Sequence, residues 1–206
     1  MKSYFDSLTK EEIAIFSQLK SPQKIQDFLE TIPQNFEREG RTIFSPRTLI
    51  RNWKAHCFEG ALFAAAALWF HGGKPLLLDL KTITGDDDHV VALYQKNKKW
   101  GAISKTNHAV LRYRDAVYES PRELAMSYFH EYFLNSNGVK TLESFAVCDL
   151  REVKKNWITD ESNLSYIDTV LEKTKHTLIV KKSERKFLRE ADPVERKIGS
   201  FVVWKE

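Results

Sequence analysis

"NWKAHCFEGALFAAAALWFHGG", residues 52 to 73, is the stretch on which the reading of this chain turns. From Ala61 to Phe70 it is apolar all round, which marks a helix covered on most sides rather than one lying half in solvent. Gly72 and Gly73 supply the stop. Cys57 sits in the first turn behind a polar and aromatic lead-in, a position unlike that of a cysteine filling a core. The unpaired amides and macrodipole of a helix N-terminus favour a thiolate there. The first-turn N–H groups lack helical partners, so the amide of Cys57 is free to meet a developing oxyanion.

Outward from this helix the chain reads as α+β. Upstream, Thr9 with Glu12 makes a capping box ahead of Ile13, Phe16 and Leu19. Ser21-Pro22 and Ser45-Pro46 repeat an N-cap-then-proline start, and 37 to 44 reads as a loop or short strand. Residues 1 to 50 are thus expected to be a helical N-terminal part, and 52 to 135 the core, of one domain spanning 1 to 206. Downstream, PLLLDL (75 to 80), HVVALYQ (89 to 95) and WGAIS (100 to 104) read as strands, the last two joined as a hairpin by a polar turn. A helix is expected from Ser120-Pro121 through RELAMSYFHEYFLNS. Another opens at Ser162 or Asn163, and HTLIVKK (176 to 182) and SFVVWK (200 to 205) read as closing strands. The charged stretch 183 to 198 is expected to be a mobile loop. Helices first and hairpin-linked strands after is not an alternating βαβ order.

Composition narrows the function classes. With 206 residues, 42% hydrophobic and 29% charged, the chain can bury a large core without covalent staples. Two cysteines, Cys57 and Cys148, imply no disulfide framework, and a reducing compartment is the simplest setting. No apolar run approaches the ~20 residues of a membrane span, and the charges scattered through the first sixteen residues do not read as a signal peptide. A cytoplasmic location with no membrane partner follows as the expectation. A net charge of +4 is mild. Even the densest basic cluster, KKSERKFLRE (181 to 190), carries two glutamates, so no nucleic-acid footprint is expected. No glycine-rich phosphate loop or zinc spacing occurs, and Asp86, Asp87 and Asp88 lack the spaced ligands of a calcium loop, so neither cofactor nor metal is expected.

A thiolate nucleophile needs an imidazole. His89 opens an alternating strand and would point toward whatever covers that face; if the Cys57 helix is the cover, the two meet. His56 adjoins the cysteine but, as a neighbour in the same turn, is expected to point elsewhere. A turn centred near Asn97 places His89 opposite residue 104 or 105. The group orienting it should therefore come from SKTN (104 to 107): Ser104 is better placed and Asn107 is the better acceptor. Glu59 reads as a capping carboxylate in the first helical turn, Cys148 as structural. Trp53 or Trp100 could wall a cleft, and Arg112 and Arg114 read as surface residues.

The stretches HCFEGALFAAAALWFHGGKPLLLDL, DDDHVVALYQKNKKWGAISKTNH and RELAMSYFHEYF resemble a bacterial family of transglutaminase-like proteins within the papain-like cysteine-protease superfamily. The resemblance implies a cysteine helix packed on an antiparallel sheet and a Cys-His-Asp or Cys-His-Asn triad. Cys57 matches the nucleophile, His89 the base, and Trp100 the tryptophan that precedes the triad aspartate. Ser104 stands where that aspartate is expected. The expected activity is cysteine-dependent amide or thioester chemistry, as a hydrolase or acyltransferase, on a peptide, protein or small acyl substrate. The alternative is an inactive domain of this type that binds a peptide or protein partner, a reading that rests on the missing aspartate.

Overall fold

The computed structural model describes residues 4–38 and 40–205. The start of the chain at 1 to 3, and Glu39 in the 37 to 44 segment, lie outside the described residues. Three short helices come first: α1 (Lys10–Gln18), α2 (Pro22–Glu30) and α3 (Pro46–Asn52). All three begin where their capping side chains sit. Thr9 and Glu12 exchange side-chain and backbone bonds at the head of α1, while Ser21 and Ser45 accept from the amides of Lys24 and Thr48. Residues 41 to 45 are loop.

The helix α4 (Cys57–Phe70) follows, buried along most of its length from Phe58 to Ala67. It lies on a six-stranded antiparallel sheet made of β1 (Leu76–Thr82), β2 (His89–Lys96), β3 (Lys99–Ile103), β4 (Arg114–Tyr118), β5 (Leu142–Asp149) and β6 (Thr177–Leu178), in the order β4-β3-β2-β1-β5-β6. The β2–β3 turn is two residues long, with Asn97 and Lys98 both at positive φ (52° and 65°). That backbone carries the twist a tight hairpin requires.

The sheet separates two cores. On one face Leu77, Val90, Ala92, Tyr94 and Ile103 pack with α4 and the N-terminal helices. On the other, Leu78, Leu80, Val91, Leu93 and Ala102 pack with α5 (Pro121–Met126) and the aromatic run behind it, Tyr128, Phe129 and Tyr132. Mixed α+β is therefore the architecture, with α6 (Ser165–Lys173) and α7 (Pro193–Gly199) completing the chain. Among the described residues no helix is long and apolar enough to cross a membrane.

Five stretches differ from expectation. The helix after Pro121 stops at Met126, where Ser127 Oγ bonds back to the Leu124 carbonyl and the chain tightens into a single 3₁₀ turn at Phe129–Glu131. The helix expected from Ser162 or Asn163 begins instead at Ser165 behind Leu164, which offers no capping side chain; Asn163 reaches the Arg41 carbonyl. The stretch 176 to 182 pairs only at Thr177–Leu178, and 200 to 205 is not a strand but a strap with one bridge, Val202 to His108. The expected mobile loop at 183 to 198 contains a 3₁₀ turn and most of α7, whose Asp192–Glu195 capping box fixes its start.

Candidate functional site

The N-terminus of α4 and the first residue of β2 meet at one end of the sheet, on a cleft of about 780 Å³ lined by His56, Cys57, His89 and Tyr132 among others. The route by which they meet is not the expected one. His89 pairs with Leu80 and shares the face of Val91 and Leu93, which α5 covers, whereas α4 covers the opposite face. The thiol is reached round the end of the sheet, where the strands stop and the first turn of α4 begins.

His89 is held from behind. Ser104 Oγ donates its one proton to the Leu111 carbonyl at 2.6 Å, so its oxygen accepts from His89 Nε2–H at 2.9 Å. This fixes the tautomer: the proton sits on Nε2 and Nδ1 is the basic nitrogen. Ser104 is itself pinned by α2. Its N–H donates to Gln26 Oε1 (2.9 Å) and its carbonyl accepts from Gln26 Nε2 (2.8 Å), a two-bond clamp on fully buried backbone. The β2–β3 ladder ends at Ala92 with Ile103, and the two polar residues meet just beyond it.

Asn107 does not orient His89. It bonds to the C-terminal strap instead, giving Nδ2–H to the Trp204 carbonyl (3.0 Å) and accepting from Trp204 N–H (2.7 Å), while its own carbonyl takes Val203 N–H (2.8 Å). Of the two residues expected beside His89, Ser104 is the one that hydrogen-bonds it.

His56 is the residue that sequence reasoning misplaced. As the N-cap of α4 its side chain folds over the first turn rather than away from it, with Nδ1 accepting from Phe58 N–H at 3.2 Å and Nε2–H donating to the Thr42 carbonyl at 2.9 Å. The signal was present in the sequence: His56 and Glu59 have the spacing of a capping box, and Glu59 returns a bond from the His56 N–H at 3.0 Å. Glu59 is fully buried, and it also accepts from Asn35, Thr42 and Phe44 N–H, so its charge is well compensated. It stands 3.5 Å from His56 Nε2, with Glu37 3.7 Å away on the same nitrogen.

Burial alone would push the half-buried Cys57 thiol up, but hydrogen bonds and charge from His56 and His89 outweigh it and bring its pKa down to about 5. The same exchange draws His56 up to about 9 against its own burial, through the Cys57 sulfur and then Glu59. On taking a proton, His56 Nδ1 changes from acceptor of the Phe58 amide to donor toward the sulfur. Cys148 is the contrast: it lies in β5 under apolar cover, and burial lifts its thiol to about 11. The arrangement can therefore present a thiolate, a basic nitrogen of fixed orientation and the unpaired first N–H of a helix around one point.

The remaining candidates fall elsewhere. Trp53 and Trp100 do not line this cleft. Arg112 pairs with Glu30 (3.0 Å), and Arg114 lies over the Tyr128 ring with its guanidinium on Glu131 (2.5 Å), so both are structural. The acidic run is an ordered loop: Asp86 accepts from Thr141 Oγ1, and Asp88 from Lys81 and the Thr82 N–H. Among the described residues no group of three or more His, Cys, Asp or Glu is placed to hold a metal ion.

No protein-family model matches the chain, and no curated protein matches it in sequence.

Proposed function

We propose that this protein performs amide or thioester chemistry through Cys57, with His89 carrying the proton and Ser104 orienting His89. The observation that carries the reading is the fixed line from Leu111 through Ser104 to His89, ending at a thiol flanked by two imidazoles. The chain order of a cysteine opening a buried helix and a histidine opening a sheet strand supports a transglutaminase-like core of the papain-like type.

The two histidines divide the work by what stands behind them. His56 has Glu59 and Glu37 within 3.7 Å of Nε2 and stays charged, steadying the thiolate. His89 has a neutral serine oxygen behind it, which holds the ring and leaves Nδ1 as the nitrogen that moves the proton. The Cys57 proton passes to His89 Nδ1, the sulfur attacks the carbonyl carbon, and the amide of Cys57 receives the oxyanion. The leaving amine or thiol takes the proton from His89 Nδ1, and a thioester to Cys57 remains. Neutral His89 then deprotonates the incoming water or amine, whose attack releases the product and returns the thiolate.

Intact-mass spectrometry after exposure to a panel of acyl thioesters and activated peptides tests this. A single acyl adduct on Cys57 is expected, absent in Cys57→Ala and formed about a hundredfold more slowly in His89→Gln. The binding-only reading draws on one observation, that Ser104 contributes no negative charge to His89. Failure of every electrophile to modify the folded protein would select it.

A further inference from the structure

The wall of the Cys57 cleft differs in charge from the rest of the chain. The protein carries +4 overall, yet the described residues lining the cleft include eight carboxylates and three Lys or Arg. Those three cations are already engaged: Arg41 with Asp168 at 2.8 Å, Lys81 with Asp88 at 2.7 Å, and Lys105 with the Ile32 carbonyl at 2.6 Å. The excess is thus acidic and includes Asp87 and Glu172, with Asp79 set against His176 and its carboxyl pushed up by burial.

A second, independent observation concerns hydrogen bonding. Five buried side-chain polar atoms lack a partner among the described residues, and three of them, Gln34 Oε1, Asp79 Oδ1 and Tyr132 Oη, belong to residues lining this one cleft. Two of the three only accept. Asp79 is 1% exposed and is tied through its other oxygen to His176 Nε2 at 3.0 Å, leaving Oδ1 without a donor. Buried polar atoms are almost always satisfied, and an unsatisfied acceptor costs roughly 1–3 kcal/mol. An acidic wall with waiting acceptors is complementary to a ligand that brings positive charge and N–H donors. Within the chain itself a guanidinium, that of Arg41, already rests on Asp168 at the same wall.

We infer that the cleft binds a cationic, N–H-rich group of its substrate on Asp79 and Glu172, as an anchor separate from the carbonyl that Cys57 attacks. The guanidinium or ammonium is held and not acylated, and the inference rests on the cleft being the substrate site of the reaction above.

The test measures binding to folded Cys57→Ala protein, so that it does not depend on turnover. Fluorescent decapeptides identical but for one central arginine, citrulline or glutamate are compared by anisotropy at low and high salt, with spermidine as a separate arm. The arginine peptide should bind about tenfold tighter than the citrulline isostere. The preference should shrink in 0.5 M salt, in Asp79→Asn and in Glu172→Gln, the last being an exposed position whose change leaves the fold alone. Binding of spermidine without the peptide would assign the cation to a free polyamine; binding of the arginine peptide alone assigns it to a protein side chain. Equal affinity for arginine and citrulline, tighter binding of glutamate, or no binding of any cation would overturn the inference. An unreactive Cys57 with intact arginine preference would instead remove the catalytic reading and leave the cation site standing.

Discussion

At the scale of the residue, the positions of Cys57 and His89 were legible because each opens an element. That of His56 was not, because an N-cap side chain folds over the turn that an ordinary neighbour points away from. His56→Gln is accordingly expected to raise the Cys57 pKa from about 5 toward its ordinary value while leaving acylation measurable at alkaline pH. Titration of the thiolate absorbance checks this. Serine at position 104 also has a physical reason. Ser104 is fully buried and must donate to the Leu111 carbonyl while accepting from His89, which a carboxylate cannot do. Ser104→Asp therefore sets a buried charge against a carbonyl oxygen, and thermal unfolding should show a loss of at least about 1–3 kcal/mol. Ser104→Ala should keep the fold and slow acylation by about tenfold, the worth of one hydrogen bond. Asn107→Ala should leave the acylation rate within about twofold, since Asn107 bonds to Trp204 rather than to His89.

At the scale of the element, caps and proline starts were read correctly at Thr9, Ser21, Ser45 and Ser120 because a capping side chain acts over four residues and needs no tertiary context. β5 escaped notice. Its sequence LESFAVCD alternates poorly because it is a central strand between β1 and β6, packed on both faces. The break after Met126 was equally hidden, since it follows from Ser127 and from the burial of Tyr128 and Phe129 rather than from a glycine or proline. The clamp from α2 was invisible for the same reason: Gln26 and Ser104 are 78 residues apart. Gln26→Ala should strip both bonds from buried backbone and cost roughly 1–3 kcal/mol. It should also slow acylation, because Ser104 would no longer be fixed behind His89. Packing of α4 on the loop after β3 gives a further test. A Cβ on Gly60 would lie 2.3 Å from Lys105 Cβ, so Gly60→Ala should lower stability by about 1–3 kcal/mol, seen as a fall of several degrees in Tm.

At the scale of the whole molecule, the site is assembled from distant parts of the chain and lies between the two cores that the sheet divides. α4 brings Cys57 and His56 from one side; His89, Ser104 and Tyr132 come from the other. The C-terminal strap closes the arrangement by gripping Asn107, His108 and Ala109, the loop that leads from Ser104 to Leu111. Removing residues 200 to 206 should therefore lower the acylation rate more than a surface truncation would, with Ser104 and His89 unchanged in sequence. A helix-opening cysteine and a strand-opening histidine are local patterns, whereas the tautomer lock, the clamp and the strap are long-range and become visible only once the chain is folded.

The measurement that bears most directly on the central claim is the rate of iodoacetamide labelling at Cys57 and Cys148 as a function of pH, followed by peptide mass spectrometry on the folded protein. Cys57 should label with a midpoint near pH 5 and reach its plateau by pH 7, while Cys148, with its thiol near 11, stays unlabelled throughout. A Cys57 midpoint at or above the ordinary ~8.5, or equally slow labelling of both cysteines, would contradict the account.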